Sequence, residues 1–140
     1  MYKAAIIGTG KIAMTGHVPA LTDNKLKDKV SVTSCVDISD ERTDDFKKIF
    51  PDSKAYKSID ELFENEKLDF IDICVPPDRH FEIIDKALKY KTGIICEKPF
   101  TKTEMEANEL EEKIRNANIP FICCHQYKYS PIWMQFMPVK

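Results

Sequence analysis

Short apolar runs alternate along this chain with longer stretches whose apolar positions recur every three or four residues, the rhythm of buried strands separated by amphipathic helices. The first run, Ala4-Ala5-Ile6-Ile7, breaks at Gly8-Thr9-Gly10 and restarts as a helix. A second strand, Val30 to Val36, ends at Asp37. Ser39 then caps a helix from Asp40 to Phe50, with Phe46, Ile49 and Phe50 facing inward and Pro51 closing it. An extended piece, Lys54 to Lys57, leads to Ser58, the cap of a helix carrying Leu62 and Phe63. Phe70 to Val75 is the next strand, stopped by Pro76 and Pro77. Asp78 is placed to cap a helix that buries Phe81, Ile83, Ile84, Ala87 and Leu88 and ends at Gly93 as its C-cap. Ile94-Ile95-Cys96 suits a strand buried on both faces. A helix from Thr103 to Ala117 and a last strand from Ile119 to Cys124 complete the series.

Strands alternating with helices, without repeats or low-complexity stretches, predict a doubly wound α/β fold with a parallel sheet. Right-handed crossovers give the strand order 3-2-1-4-5-6, with ligands over the carboxyl ends where the order reverses, between strands 1 and 4. Gly8, Asp37, Val75 and Glu97 all fall at such ends. We expect residues 1–125 to form this domain and residues 126–140 to begin a linker.

The first turn carries the chemistry of a dinucleotide site. Gly8 permits the tight bend, Gly10 lets a pyrophosphate approach the backbone, and Ala13 lets the helix lie close on its strand. Thr9, Lys11 and Ile12 belong to the same turn, where free N–H groups and the helix dipole favour an anion. Asp37 follows Ala13 by 24 residues (37 minus 13), near the roughly 20 expected of a carboxylate that binds the adenosine ribose. It favours NAD over NADP, since no arginine follows directly in Ile38-Ser39, although Arg42 softens that choice. The blander alternative for Asp37 is a helix N-cap.

Composition narrows the function. At 140 residues with a net charge of -2, the chain has about one domain and no basic stripe for nucleic acid or anionic membrane. No apolar run approaches the roughly 20 residues of a membrane span, and a cytoplasmic protein is expected. The five cysteines lack CxxC spacing and read as buried thiols. Cys123-Cys124-His125 makes a poor metal site, and none is assigned.

Four ordered features carry a resemblance: Gly8 to Ala13 with His17-Val18-Pro19-Ala20-Leu21 after it, Val75-Pro76-Pro77-Asp78-Arg79-His80, Cys96-Glu97-Lys98-Pro99, and Tyr127-Lys128-Tyr129-Ser130-Pro131. With these the chain resembles the Gfo/Idh/MocA family of nicotinamide-dependent oxidoreductases, sugar and inositol dehydrogenases among them. The resemblance implies that Lys98 reaches the reacting hydroxyl beside the nicotinamide while hydride passes between substrate and cofactor, and that Glu97 orients it. Independently, a lysine at a strand end over the switch point can donate to a developing alkoxide; the alternative is a surface Lys-Glu pair before a turn proline. Pro99 is a candidate cis proline. Val75, Pro76 and Pro77 would wall the nicotinamide side, although many relatives carry Asn where Pro77 stands. His80 is as well suited to a first-turn helix position as to a ligand contact, and His17 is weighed similarly. Lys128 stands where the family commonly has Arg.

Members of the family carry a second domain that holds the substrate and supplies an Asp and a His to the reaction. These 140 residues stop before it, so the substrate domain is absent and the chain is expected not to turn over alone, because half a cleft cannot position the reactants. The partners expected are a nicotinamide dinucleotide, a small-molecule substrate only with that second domain, and a second copy in those relatives that pair. The apolar tail from Tyr129 to Val139 is expected to pack against something beyond this chain. The alternative function is a stand-alone NAD-binding regulatory or assembly module; a CoA-binding domain is disfavoured by Asp37 and by Glu97-Lys98-Pro99.

Overall fold

A computed structural model describes residues 1–136, so Met137 to Val139 of the apolar tail lie outside the described residues. Six strands, β1 (Tyr2–Ile7), β2 (Val30–Val36), β3 (Lys54–Tyr56), β4 (Phe70–Ile73), β5 (Gly93–Cys96) and β6 (Phe121–Cys123), form one sheet in the order β3-β2-β1-β4-β5-β6. Every pairing is parallel. The expected doubly wound order is therefore present, and it places the ends of β1 and β4 side by side, with Ile7 opposite Ile73.

Strand alternation sorts the core into two layers. Ala5, Ile7, Val36, Ile71 and Ile73 face one side, where they pack on Leu62, Ile84 and Leu110; Ile6 and Cys35 face the other, against Ala13, Val18 and Phe46. The first layer is covered by α3 (Ile59–Asn65), α4 (His80–Lys89) and α5 (Glu104–Ala117), and the second by α1 (Val18–Thr22) and α2 (Asp40–Ile49). Ser39, Ser58 and Thr103 cap α2, α3 and α5 by accepting the N–H groups of Arg42, Glu61 and Glu106.

Several local expectations are corrected. The helix after the glycine turn passes through a π-helical segment, Ala13–His17, before α1. Ile49 is 43% exposed, so Phe46, with the partly buried Phe50 packed beside it, anchors α2 in the core. Strand β4 stops at Ile73 rather than Val75, and Asp78 caps nothing, because Pro77–Arg79 form a single 3-10 turn ahead of α4. Gly93 is not a C-cap but opens β5. A Cβ there would lie 3.1 Å from the Asp69 carbonyl oxygen, so its smallness serves the close approach of β4.

The left-handed residue between α4 and β5 is Lys91, with φ of 53°. A side chain costs energy in that region, so Lys91→Gly should stabilise the chain by about 0.5–1 kcal/mol, read as a raised urea midpoint. Of the thiols, Cys35, Cys74 and Cys96 are buried, whereas Cys123 and Cys124 are only partly so. Beyond β6 the chain forms a 3-10 turn (Gln126–Tyr129) and a short helix, α6 (Pro131–Phe136). Its Tyr127, Tyr129, Ile132, Trp133, Met134 and Phe136 are exposed. Among the described residues no helix is long and apolar enough to cross a membrane.

Candidate functional site

At the carboxyl ends of β1, β2 and β4 the sheet opens into a cleft of about 840 Å³. Gly8 forms its floor. Its φ of 89° is left-handed, and a Cβ there would come within 2.8 Å of Val75 Cγ1, so the bend requires glycine for both backbone and space. Gly10 differs, because a Cβ there would meet nothing within 4 Å. The protein thus leaves open the ground above the first helical turn, where N–H groups have no intrahelical partner.

Asp37 stands at the end of β2, 6% exposed. Its Oδ2 accepts from the Thr9 N–H at 2.9 Å and from the Thr9 hydroxyl at 3.1 Å, and its Oδ1 accepts from the Ser39 N–H at 2.9 Å. Burial pushes this carboxyl up, but the N–H groups of Ser39 and Thr9, the Thr9 hydroxyl and the Arg42 guanidinium outweigh burial and hold it below the usual range. Arg42 lies one turn into α2 with Nη1 at 3.6 Å from Asp37 Oδ1. The helix thereby brings back the arginine that Ile38-Ser39 lack. Lys57 Nζ adds a second cation, 3.4 Å from the Ile38 carbonyl oxygen.

Of the expected cofactor residues, Gly8, Gly10, Lys11, Ile12, Asp37, Val75 and Pro76 line the cleft, and Thr9, Ala13, Pro77, His80, Glu97 and Lys98 do not. Thr9 lies beneath it as the partner of Asp37. Ala13 is fully buried in the contact between first helix and sheet. His80 is also fully buried, with Nε2 at 2.9 Å from the Val75 carbonyl oxygen and Nδ1 at 3.1 Å from that of Pro99. It does not open on the cleft; it ties the turn after β4 to the turn after β5.

Glu97 and Lys98 follow β5, and the Lys98–Pro99 bond is cis. Glu97 is 7% exposed, its N–H donates to the Ile73 carbonyl oxygen at 2.9 Å, and its Oε2 accepts the Lys98 N–H at 3.0 Å. The Lys98 side chain is exposed. Glu97 Oε1 lies 3.0 Å from His17 Nε2, and His17 Nδ1 lies 2.7 Å from Asp72 Oδ2. His17 and Asp72 are the pair that sequence reasoning undervalued. A carboxylate inside the apolar strand Phe70-Ile71-Asp72-Ile73 was the available signal, since a buried charge demands a partner.

Ligand-type atoms of His17, Asp72 and Cys74, and of His17, Glu97 and Cys124, come within 4.8 Å of one another. Both ring nitrogens of His17 already face carboxylate oxygens, so its ligand atoms are committed to Asp72 and Glu97. Desolvation raises the thiols of Cys74 and Cys124 well above the ordinary range, which keeps them protonated and poor metal ligands.

A family model describing oxidoreductases with an NAD-binding Rossmann fold matches residues 2–123. An uncharacterized oxidoreductase of Schizosaccharomyces pombe is 34% identical over 111 residues, which cover 79% of this chain and 30% of the relative. Myo-inositol 2-dehydrogenase of Thermotoga maritima is 26% identical over 117 residues, 84% of this chain and 34% of the relative. The crystal structure of an oxidoreductase from Agrobacterium radiobacter, in complex with NAD+, L-tartaric acid and magnesium, superposes with a TM-score of 0.83 at 25% identity, covering 91% of this chain and 36% of that one. The chain thus spans about a third of the length of the curated relatives it matches. With the glycine turn, the acidic end of β2 and the Glu97-Lys98-Pro99 turn set around one sheet edge, and with the family model matched along nearly all of its length, this chain belongs to the Gfo/Idh/MocA oxidoreductase family and is built on its NAD-binding Rossmann fold.

Proposed function

We propose that this chain is the dinucleotide-binding part of an oxidoreductase that moves hydride between a nicotinamide and a hydroxyl or keto carbon of a sugar-like or cyclitol substrate. The observation that carries the reading is the open ground above Gly10 beside the buried, ionised Asp37. The N–H groups of Gly10, Lys11 and Ile12 take the pyrophosphate, and Asp37 accepts the adenosine ribose hydroxyls. Val75 and Pro76, with Pro77 behind them, wall the nicotinamide side. The bound dinucleotide supplies the hydride chemistry. Lys98 provides an ammonium beside the reacting hydroxyl, and Glu97 holds the Lys98 backbone at a fixed distance through its Oε2. The substrate class follows the relatives, one of which is named as an inositol dehydrogenase. This chain spans about a third of the length of those relatives, so the activity and substrate are proposed for the family's whole length.

Asp37 favours NAD, because a 2′-phosphate would meet its charge; Arg42 is the residue that would compensate such a phosphate. Calorimetric titration of the folded chain with NAD and with NADH should give saturable binding, and Asp37→Ala should weaken NAD at least about tenfold, about 1.4 kcal/mol, by removing a charge-assisted pair of hydrogen bonds. A folded chain that bound neither nucleotide at millimolar concentration would overturn the reading. The exposed apolar side chains of Trp133, Met134 and Phe136 favour a second reading, an NAD-binding regulatory or assembly module that docks on another chain. A native product of this length isolated in a defined complex would support it.

A further inference from the structure

We propose that His17 is a positioning residue, a doubly protonated imidazolium that clamps Asp72 and Glu97 and thereby sets the Glu97-Lys98 turn against the dinucleotide half of the site. The inference rests on the function proposed above for its meaning in catalysis, but its geometry stands apart from that function. His17 ends the π-helical segment that follows the glycine turn, Asp72 lies in β4, and Glu97 follows β5. One imidazole therefore joins three elements that are adjacent in space and far apart in sequence.

The protonation state follows from the contacts. Nδ1 is 2.7 Å from Asp72 Oδ2 and Nε2 is 3.0 Å from Glu97 Oε1. Carboxylate oxygens accept only, so both nitrogens must carry hydrogen for both bonds to form, which makes the ring a cation. Side-chain exposures of 13% for His17, 3% for Asp72 and 9% for Glu97 leave little water to replace a lost partner. Among the described residues the other titratable groups facing this cluster are thiols: Cys74, 3.8 Å from Asp72 Oδ1, and Cys124, with Cys96 and Cys123 on the Glu97 side. The Asp72 hydrogen bond raises the His17 imidazole to about 9, against the opposing effect of burial and with help from Glu97.

The consequence reaches Lys98 through two bonds of one carboxylate. Glu97 Oε1 is held by His17 while Oε2 accepts the Lys98 N–H at 3.0 Å. Without the imidazolium, Glu97 is free to turn toward solvent, and the Lys98 backbone loses the carboxylate that accepts its N–H. The π-helical winding of Ala13–His17 accompanies this placement, as such segments often do at functional sites.

Nuclear magnetic resonance of the full chain tests this without cofactor. Nitrogen shifts of the His17 ring at pH 7.5 should report two N–H groups. The Lys98 amide should be protected from exchange, and that protection should fall as His17 titrates at alkaline pH. In His17→Gln the Lys98 amide should exchange at least about tenfold faster with no such alkaline step, while the amide chemical shifts of β1 stay at their wild-type positions and so exclude general unfolding. In Asp72→Asn the His17 midpoint should drop. A ring with one protonated nitrogen at pH 7.5, or Lys98 protection unchanged in His17→Gln, overturns the proposal; if the variant does not fold, the wild-type ring shifts and the Asp72→Asn midpoint decide it. NADH titration is scored separately, so a chain that bound no NADH yet kept this network would sink the proposed function and leave the clamp standing.

Discussion

Replacing Gly8 by Ala should lower the stability of this chain by about 3 kcal/mol and abolish dinucleotide binding, whereas Gly10→Ala should leave stability unchanged and impair binding alone. The contrast comes from where each new methyl would go. At Gly8 it would stand 2.8 Å from Val75 Cγ1, 3.1 Å from the Val75 nitrogen and 3.2 Å from the Cys74 carbonyl carbon, on a backbone with φ of 89°. Two of those neighbours are main chain at the end of β4, and the Cys74 N–H donates to the Ile7 carbonyl oxygen at 2.8 Å, so the strands cannot part without losing that bond. Against a typical total of about 5–15 kcal/mol, the loss is large. At Gly10 the methyl would enter empty ground, where it obstructs only a ligand. Urea unfolding with NADH titration on both variants reads the difference. Wild-type stability in Gly8→Ala, or wild-type affinity in Gly10→Ala, would contradict this account of the turn.

Raising the pH should destabilise the chain through His17. A folded-state midpoint of about 9 against an ordinary 6.5 means the folded form holds its proton more tightly than the unfolded one. The stabilisation is therefore complete below about pH 6.5 and fades as the pH climbs through about 9, a loss on the order of 3 kcal/mol at about 1.4 kcal/mol per unit. Urea midpoints between pH 6 and 9 should fall in the wild type. His17→Gln should start lower, by about 3–5 kcal/mol, since Asp72 and Glu97 are then buried beside each other without a cation. Its pH slope should be nearly flat over the same range. Equal slopes in the two proteins would place the alkaline sensitivity elsewhere.

The alternation of apolar and polar positions was enough to specify the elements, their order and the parallel sheet. Such patterns act through neighbours in sequence: short apolar runs bounded by turn residues, such as Ala4 to Ile7 before Gly8, read as strands, and Ser39, Ser58 and Thr103 announce helices by local capping. The glycine turn and Asp37 were legible for the same reason, because a strand, a bend and a helix lie within one short span of chain. Boundaries were less so. Asp78 has the chemistry of a cap, but the two prolines before it set a 3-10 turn instead, and Gly93 owes its place to a contact with Asp69, just ahead of β4.

What only the tertiary structure decided are the contacts between residues far apart in sequence. His80 becomes a buried tie between two turns rather than a ligand contact because α4 packs it against the carbonyls of Val75 and Pro99. His17, separated by 55 residues from Asp72 and by 80 from Glu97, meets both only once the crossovers of the doubly wound sheet bring β4, β5 and the first helix to one edge. Local pattern encodes the elements because hydrogen bonding and burial within a strand or helix are decided by near neighbours; a charge network among three elements is decided by how they pack, and no spacing along the chain records it.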